Sequence, residues 1–285
     1  MFGGMTTDTT GRERPHPERS GRSTTRVRYE ARLRQLSVRS VQRLTPHMIR
    51  IVFNGDFTGF QSLGFDDHVK LFFPDPVTGV LTLPVPNAVP RADAPKPIGR
   101  DYTPRAFDAE TGELTIDFAV HTAGPATAWA LAAKVGDTLH VGGPRGSMLI
   151  PDAFDGYVLI GDDTALPAIG RRLAEVALGT PVFAVIEVDG PDDQIAFATL
   201  ADLTLTWVHR SARSGPRTLD TAIRGLFLPQ NDVHTWVACE AVQAKRIREQ
   251  LIDDHGVNPA WLKASGYWRD GEAGSHVRID DTPLS

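Results

Sequence analysis

The 285-residue sequence predicts a β barrel plus an α/β fold: an antiparallel barrel or sandwich, then a doubly wound parallel sheet. Three observations predict it. Short β-rich runs separated by turn residues fill positions 29–152. After Pro151, apolar strands alternate with helical segments as far as position 272. A hydrophobic content of 41% is enough for two cores, so a domain boundary is expected near residue 152.

The first domain (29–152) is predicted from its β-rich runs. A Pro-rich loop, DAPKPIGR, precedes a short extended segment, RDYTPR. The last run ends in Gly142, Gly143 and Gly146, which permit tight turns. Because the runs are short and closely spaced, antiparallel pairing is expected. The runs are ARLRQLSVRSVQRL, HMIRIVFNG, HVKLFFPD, GVLTL, LTIDFAVH and DTLHVGGPRG.

The second domain (153–272) is predicted from buried strands that alternate with helices. The strands are GYVLIGDDT, PVFAVIEVD, LTLTWVHR and HTWVACE, and ALPAIGRRLAEVAL is the first helix. Such alternation implies a parallel sheet whose ligand crevice lies at the carboxyl ends of the strands. The C-terminal run WLKASGYWRDGEAG is dense in aromatic residues, which need burial, so it is expected to dock.

Composition limits the classes of partner. The net charge is −5, and no basic run with interleaved aromatics lies outside the N-terminal tail, which argues against nucleic acid. The single cysteine, Cys239, excludes an intrachain disulfide or a cysteine-ligated iron–sulfur cluster. No apolar run is long enough to span a membrane. We therefore expect a cytoplasmic protein without membrane insertion, and nothing requires more than a monomer.

Both ends of the chain are expected to be unstructured. Residues 1–28 are rich in Thr, Ser, Arg, Gly and Pro and offer almost nothing to bury, which predicts a disordered tail. Residues 273–285 are expected to be a flexible tail. The arginines of the N-terminal tail could contact acidic partners, and a solvated tail is the alternative.

The segment Arg100–Arg105 combines a phenol, a hydroxyl and two guanidiniums. In a strand, alternate residues face the same side, so Arg100 and Tyr102 share one face while Thr103 and Arg105 share the other. Arginine forms paired hydrogen bonds with a pyrophosphate, and tyrosine offers a flat face to a heteroaromatic ring. An edge strand with a solvated arginine pair would have the same pattern.

A second motif, HTAGPATAWA (121–130), predicts a loop entering a helix. Gly124 permits close backbone approach, and the following proline fits the first helical turn. Free N–H groups at a helix start bind phosphate, so Gly124, Ala126 and Thr127 could hold a diphosphate. A helix without a ligand is the alternative, but the two motifs together are typical of a flavin cradle.

The second domain repeats polar residues at strand ends. Asp162 and Thr164 follow one apolar strand, and Glu240 follows another, so all three could face the crevice. A capped helix and a solvated carboxylate are the alternatives. No full GxGxxG motif is present. A basic loop carries arginines that could hold a 2′-phosphate and favour NADPH, or form an ordinary surface loop; these are Arg210, Arg213 and Arg217.

Other catalytic chemistry finds no support in the sequence. The histidines show no HExxH or other paired short spacing, so no metal site is expected. No GxSxG motif and no nucleophilic cysteine setting appear, and no residue is assigned as catalytic.

Five motifs in this order resemble the siderophore-interacting protein family of ferric-siderophore reductases, within the ferredoxin reductase-like flavoproteins. They are RDYTPR, HTAGPATAWA, GPRGS, GDDTALPAI and KASGYWRDG. The resemblance covers residues 30–272 and implies a six-stranded FAD-binding barrel followed by a nicotinamide-binding α/β domain. Asp163 stands where the family commonly has Glu, and Pro104 removes one N–H beside the first motif.

The resemblance also implies site residues. Tyr102 would lie against the isoalloxazine and Thr103 near its N5. The FAD set is Arg100, Tyr102, Thr103, Arg105, His68, Val69, Lys70, His121, Gly124, Ala126 and Thr127. The nicotinamide-side set is Asp162, Thr164 and Glu240, to which the basic loop adds Arg210. Because the net charge would repel an anionic ferric siderophore, a local basic patch is required; Lys263 is expected there, with Arg269 or Arg145.

The implied activity passes electrons from NADPH or NADH through FAD to an Fe(III)-siderophore, releasing Fe(II) for iron assimilation. Two alternatives stay open. One is a general flavin or electron-transfer reductase that serves a protein acceptor. The other is a siderophore-binding module without enzymatic activity. Neither the siderophore nor the choice between nicotinamide donors follows from the sequence.

Overall fold

The computed structural model contains a curled antiparallel sheet, then a mostly parallel sheet with helices on both faces. The strands are β1 (Thr25–Arg28), β2 (Leu33–Thr45), β3 (Met48–Gly55), β4 (Val69–Phe73), β5 (Ile98–Tyr102), β6 (Ala106–Asp108), β7 (Glu113–Ala119), β8 (Thr138–Gly142), β9 (Gly146–Leu149), β10 (Gly156–Asp162), β11 (Pro181–Val188), β12 (Asp202–His209), β13 (Val233–Glu240), β14 (Leu262–Trp268) and β15 (Val277–Ile279). The α-helices are α1 (Pro125–Ala132), α2 (Leu166–Glu175), α3 (Leu219–Arg224) and α4 (Ala241–Asp253). The structure describes residues 19–85, 95–120, 124–211, 219–226, 228, 232–271 and 277–279.

The first sheet has seven strands in the order β5-β4-β8-β2-β3-β7-β6, all paired antiparallel. Its two edge strands, β5 and β6, are consecutive pieces of one segment that is interrupted at Pro104, which has no N–H to donate to a ladder. The sheet therefore curls into a half-barrel. The predicted barrel is confirmed, but its count of six strands and the predicted strand GVLTL (79–83) are wrong.

The second sheet has the order β12-β11-β10-β13-β14-β15, with parallel pairing up to β14 and an antiparallel last strand. Alternate residues of β10 enter different cores: Leu159 packs with α2 on one face, and Val158 packs with α3 and α4 on the other. The doubly wound prediction is confirmed. The C-terminal aromatic segment docks as predicted, but it does so as the fifth parallel strand, β14.

The core beneath α2 also joins the two sheets. Met48 and Phe65 from the first half of the chain pack in the same buried cluster as Leu166 and Trp236 from the second. Phe65 and Trp236 meet edge to face, with ring centroids 5.4 Å apart. The contact between the two halves is thus apolar at its centre.

The N-terminal prediction needs a correction. Residues 19–22 form a 3₁₀ turn, and β1 pairs antiparallel with β9, so the prediction of disorder is wrong for residues 19–28. Arg22 is only 6% exposed because an ion pair holds its guanidinium. At the other end, the flexible tail predicted for residues 273–285 is wrong for Val277–Ile279, which forms β15 and pairs with β14. Residues 1–18, 272–276 and 280–285 lie outside the described residues. Within the described part, no helix is long and apolar enough to cross a membrane.

Candidate functional site

The strand β5 carries the first predicted motif. Tyr102 lies opposite Val69 in the ladder with β4, and its ring packs 4.5 Å from the ring of Phe118. Burial raises the pKa of Tyr102, so its phenol is neutral at physiological pH. Arg100 donates from Nη1 to the carbonyl of Gly99 at 2.8 Å. The structure thus joins an aromatic ring and a guanidinium on one strand.

The break after β5 places Thr103 and Arg105 at the contact between the two domains. Thr103 is buried, and its side chain is hydrogen-bonded to Tyr267 of β14. Arg105 packs against Gly170 of α2, where an added Cβ would lie 3.2 Å from its guanidinium. Burial lowers the pKa of Arg105, and within the described chain no carboxylate forms an ion pair with it. The nearby carboxylate of Asp117 is bound by Arg50 at 2.7 Å.

The second motif begins α1 as predicted. Gly124 precedes the helix, and no side chain among the described residues caps its first N–H groups. A Cβ added at Gly124 would meet no atom of the described residues within 4 Å. Ala126 is buried and Thr127 is half-buried in the first turn. His121 lies outside the described residues.

The three residues predicted from β4 and its approach lie in different surroundings, and their role toward FAD stays a prediction. Val69 is fully buried in the barrel core. Lys70 forms an ion pair with Asp101 at 2.7 Å on the neighbouring strand. His68 is exposed and lines a cavity that is described below. Only Val69 therefore shares the face of Tyr102, because alternate residues of a strand point to opposite sides.

Sequence reasoning missed Arg171 of α2. Its guanidinium is 8% exposed and donates to the carbonyl of Pro104 at 3.0 Å and to the carbonyl of Ser62 at 2.7 Å. It also donates to Glu175 at 2.7 Å, one helical turn away. The sequence signal is an ordinary i,i+4 pair, which is typical of a solvated helix face. In the structure this arginine instead stabilises the turn between Thr103 and Arg105 by binding the Pro104 carbonyl.

On the nicotinamide side, Asp162 lies at the end of β10 and is 1% exposed. It accepts hydrogen bonds from the backbone N–H of Thr164 at 2.9 Å and from Trp268 Nε1 at 2.7 Å. Burial, and then the neighbouring Asp163, raise the pKa of Asp162 to about 6. Both carboxylate oxygens are used within the chain, so Asp162 positions Thr164 and Trp268 at the crevice.

The other two predicted residues of this side are also engaged. Glu240 caps α4 by accepting from the N–H of Gln243 at 2.9 Å. Arg210 binds Asp163 at 2.7 Å and Glu187 at 3.0 Å, which together raise its pKa. Its guanidinium is therefore committed to acidic partners. Arg213 and Arg217 lie outside the described residues.

A cavity of about 480 Å³ opens beside β14. Its walls come from the loop before β4, from β9, from β14 and from the N-terminal strand β1. Tyr267 and Trp261 supply aromatic surface. Basic side chains dominate its charged lining: Arg26, His68, Arg145, Arg248 and Lys263.

The predicted substrate residues differ in their position. Lys263 lines the cavity, but its ammonium is paired with Asp66, which also accepts from Trp236 Nε1 at 3.0 Å. Arg145 lines the cavity as well, and within the described chain it has no ion pair. Arg269 does not line it. Lys263 and Arg145 thus line one cavity, whereas Arg269 follows the end of β14. The role of these three residues in substrate binding stays a prediction.

His234 is a cavity residue that sequence reasoning did not assign. It is 3% exposed, and its Nδ1 has no hydrogen-bond partner among the described residues. Burial, and then the nearby Arg172, lower the pKa of His234 to about 3. It therefore presents a neutral imidazole at physiological pH.

The described residues contain one group of potential metal ligands, outside this site. His47, Asp189 and Asp193 place one ligand atom each within 4.8 Å of one another. His47 Nδ1 is hydrogen-bonded to Asp193 at 2.9 Å, and the His47 N–H donates to the same carboxylate at 3.1 Å. These contacts join the turn after β2 to the turn after β11. The expectation that the chain has no metal site stays a prediction.

Comparison with known proteins places this site in a family. Residues 37–148 match the model of the siderophore-interacting FAD-binding domain, and residues 154–271 match that of the siderophore-interacting protein. An NADPH-dependent ferric-chelate reductase of Escherichia coli (strain K12) is 33% identical over 85% of this chain and 95% of its own length. The ferric vibriobactin reductase ViuB of Vibrio cholerae is 29% identical over 80% of this chain and 86% of its own.

A solved structure agrees with these matches. The siderophore utilization protein from T. fusca superposes with a TM-score of 0.81 at 38% identity, covering 89% of this chain and 98% of its own. The three proteins named above are each covered over at least 86% of their own length. The chain belongs to the siderophore-interacting protein family.

Proposed function

We propose that this protein is a ferric-siderophore reductase that passes electrons from NADPH through FAD to an Fe(III)-siderophore. The observation that carries the proposal is the position of Tyr267. Its side chain lines the basic cavity and is hydrogen-bonded to Thr103 of the flavin motif. The cofactor segment and the cavity therefore share a wall, as electron transfer between them requires.

The described residues fit FAD on structural grounds. In the part of the chain that the structure describes, no side chain caps the start of α1, and no atom lies within 4 Å of a Cβ added at Gly124. Such a helix start holds a pyrophosphate through its N–H groups, here those of Ala126 and Thr127. Arg105 is a largely buried guanidinium without an ion pair in the described chain, which suits the same anion. Tyr102 would offer its ring to the isoalloxazine, with Thr103 beside N5.

When bound, FAD would supply the ability to accept two electrons together and release them one at a time. The protein aligns the reactants around it. Asp162 fixes Thr164 and Trp268 at the crevice of the parallel sheet, where the nicotinamide donor is expected. Because Arg210 is bound by Asp163 and Glu187, a 2′-phosphate would depend on the remaining basic residues of its loop.

The cavity would hold the ferric chelate, which is the substrate. With a net charge of −5, the protein as a whole repels an anionic complex, whereas the basic lining attracts one locally. The two acids that line the cavity offset only part of this charge. Asp66 pairs with Lys263 and neutralises it, and Asp67 accepts from Ser147 and from Ser62 at 2.9 Å. Three arginines of the lining therefore face one remaining carboxylate; they are Arg26, Arg145 and Arg248. Reduction weakens binding because hard oxygen donors suit Fe(III) better than Fe(II).

The test is an anaerobic visible spectrum of the purified protein, followed by NADPH and then by a ferric siderophore with a ferrous-specific trap. We expect the flavin absorbance to bleach with NADPH and to recover as the ferrous complex forms. A protein that binds the chelate but no FAD would overturn the proposal in favour of a binding module. Flavin that bleaches and is not reoxidised by the chelate would favour an electron-transfer reductase with another acceptor.

A further inference from the structure

The N-terminal strap, residues Arg22–Arg28, crosses from the barrel to the α/β domain. It precedes both matched family regions, which begin at residues 37 and 154. Its strand β1 pairs with β9 from Thr25 opposite Leu149 to Arg28 opposite Gly146. Just beyond the strap, the Tyr29 hydroxyl is hydrogen-bonded to Ser147 at 2.7 Å. One end of the strap is therefore fixed to the barrel side of the cavity.

The other end is fixed by Arg22. Its Nη1 forms an ion pair with Asp232 at 2.6 Å, and its Nε donates to the carbonyl of Ala153 at 2.9 Å. The guanidinium also lies 5.4 Å from the ring centre of Trp261, an aromatic residue of the cavity wall. A buried arginine with these three partners is an anchor, because breaking a buried ion pair is strongly destabilising.

Between these anchors, the strap faces the cavity. Thr24 and Arg26 line it, as expected for alternate residues of an extended segment. Arg26 is exposed, and within the described chain it has no ion pair. Arg28 lies on the same strand and is also exposed, but it does not line the cavity. The strap thus presents one particular cation to the cavity interior.

We infer that the N-terminal strap is a wall of the ferric-chelate site and that Arg26 is a specificity-determining residue favouring chelates of negative net charge. The inference rests on the proposed function, since it takes the cavity as the substrate site. It assigns a role to a segment outside the two matched family regions. Arg145 stands across the β1–β9 pairing and adds a second cation of the same sign.

The experiment compares Arg26→Gln with the matched control Arg28→Gln in the FAD-loaded full chain. The acceptors are the anionic Fe(III) complex of 2,3-dihydroxybenzoate and the cationic hydroxamate complex ferrioxamine B. For Arg26→Gln we expect KM for the anionic complex to rise about two- to fivefold, as for loss of an exposed charge contact, with kcat and FAD content unchanged. KM for the cationic complex is expected to stay the same or fall, and Arg28→Gln to resemble the unmodified protein.

A second readout does not depend on turnover. The Ga(III) complex of 2,3-dihydroxybenzoate is not reduced under these conditions, and Trp261 lies in the cavity wall, so quenching of tryptophan fluorescence can report binding. Weaker binding to Arg26→Gln alone supports the inference, even if the unmodified protein reduces no chelate and the proposed function fails. Equal effects of both variants, or none from either, would overturn it.

Discussion

Replacing Arg171 by alanine tests whether the α/β domain holds the flavin motif in place. Arg171 is 8% exposed and donates to the buried carbonyl of Pro104 at 3.0 Å and to the part-buried carbonyl of Ser62 at 2.7 Å. A buried polar group left without a partner costs about 1–3 kcal/mol, so the Pro104 carbonyl alone predicts a loss of about 1–3 kcal/mol in the free energy of unfolding. Since Pro104 lies between Thr103 and Arg105, we also expect FAD to bind about tenfold more weakly, or about 1.4 kcal/mol.

The assay combines urea unfolding with a fluorescence titration of FAD into the apoprotein. Arg171→Lys should recover part of both losses, because one ammonium can still reach one carbonyl. The matched control is Arg43→Ala, which removes an exposed arginine that donates to the Pro46 carbonyl at 2.7 Å. We expect that control to change neither quantity measurably. A destabilised Arg171→Ala protein with unchanged FAD affinity would refute the reasoning, since the barrel alone would then shape the turn.

Three further predictions concern burial. Asp162 has a folded pKa of about 6 against an ordinary 3.8, so the stability it contributes below pH 3.8 is lost as pH rises through 6. Asp162→Asn should remove this loss when the free energy of unfolding is measured in urea between pH 4 and 7. Parallel pH profiles of the variant and the unmodified protein would contradict this expectation. His234 has a folded pKa of about 3 against an ordinary 6.5, so the stability of the protein falls as pH drops below 6.5. His234→Gln should lower the pH at the midpoint of acid unfolding. An unchanged midpoint would show that the buried imidazole does not cause the loss of stability in acid. A Cβ at Gly146 would lie 2.3 Å from the Val27 carbonyl, so Gly146→Ala should speed hydrogen exchange in the strap; unchanged exchange would show that the strap accommodates the methyl group.

Most strands of the two sheets were predictable because β-rich runs alternate with turn residues in the first domain and with helical segments in the second. The strands that were not predicted have physical causes. In β14, Lys263 and Ser265 interrupt the apolar run expected of a buried parallel strand, so only docking was predicted. Gly266 also lacks a side chain because a Cβ there would lie 2.6 Å from the Cβ of Ala241. A strand whose residues allow close backbone approach and make polar contacts lacks the run of apolar residues by which a buried strand is predicted.

Site residues were predictable where neighbouring residues of one motif form the site. They were not predictable where the site depends on contacts between residues far apart in the sequence. Arg100 and Tyr102 follow from their own hexapeptide, and Gly124 follows from the helix start. The contact of Arg171 with Pro104 joins residues 67 positions apart, and that of Lys263 with Asp66 joins residues 197 apart. Nothing in a single sequence pairs such residues, because each is compatible with a solvated surface. For the same reason, Arg22 was expected in a disordered tail.

The end of β14 explains how one strand can serve three parts of the site. Tyr267 and Trp268 are consecutive, and a β-bulge interrupts the ladder with β13 between Gly266 and Trp268. Such a bulge re-aims side chains at the end of a strand. Tyr267 is hydrogen-bonded to Thr103 and lines the cavity, whereas Trp268 donates to Asp162 at the carboxyl end of β10. The proposed donor crevice, the flavin motif and the chelate cavity therefore meet at one dipeptide. A rigid strand shared by the three keeps their spacing fixed, and direct electron transfer from a bound flavin to a bound chelate depends on that spacing.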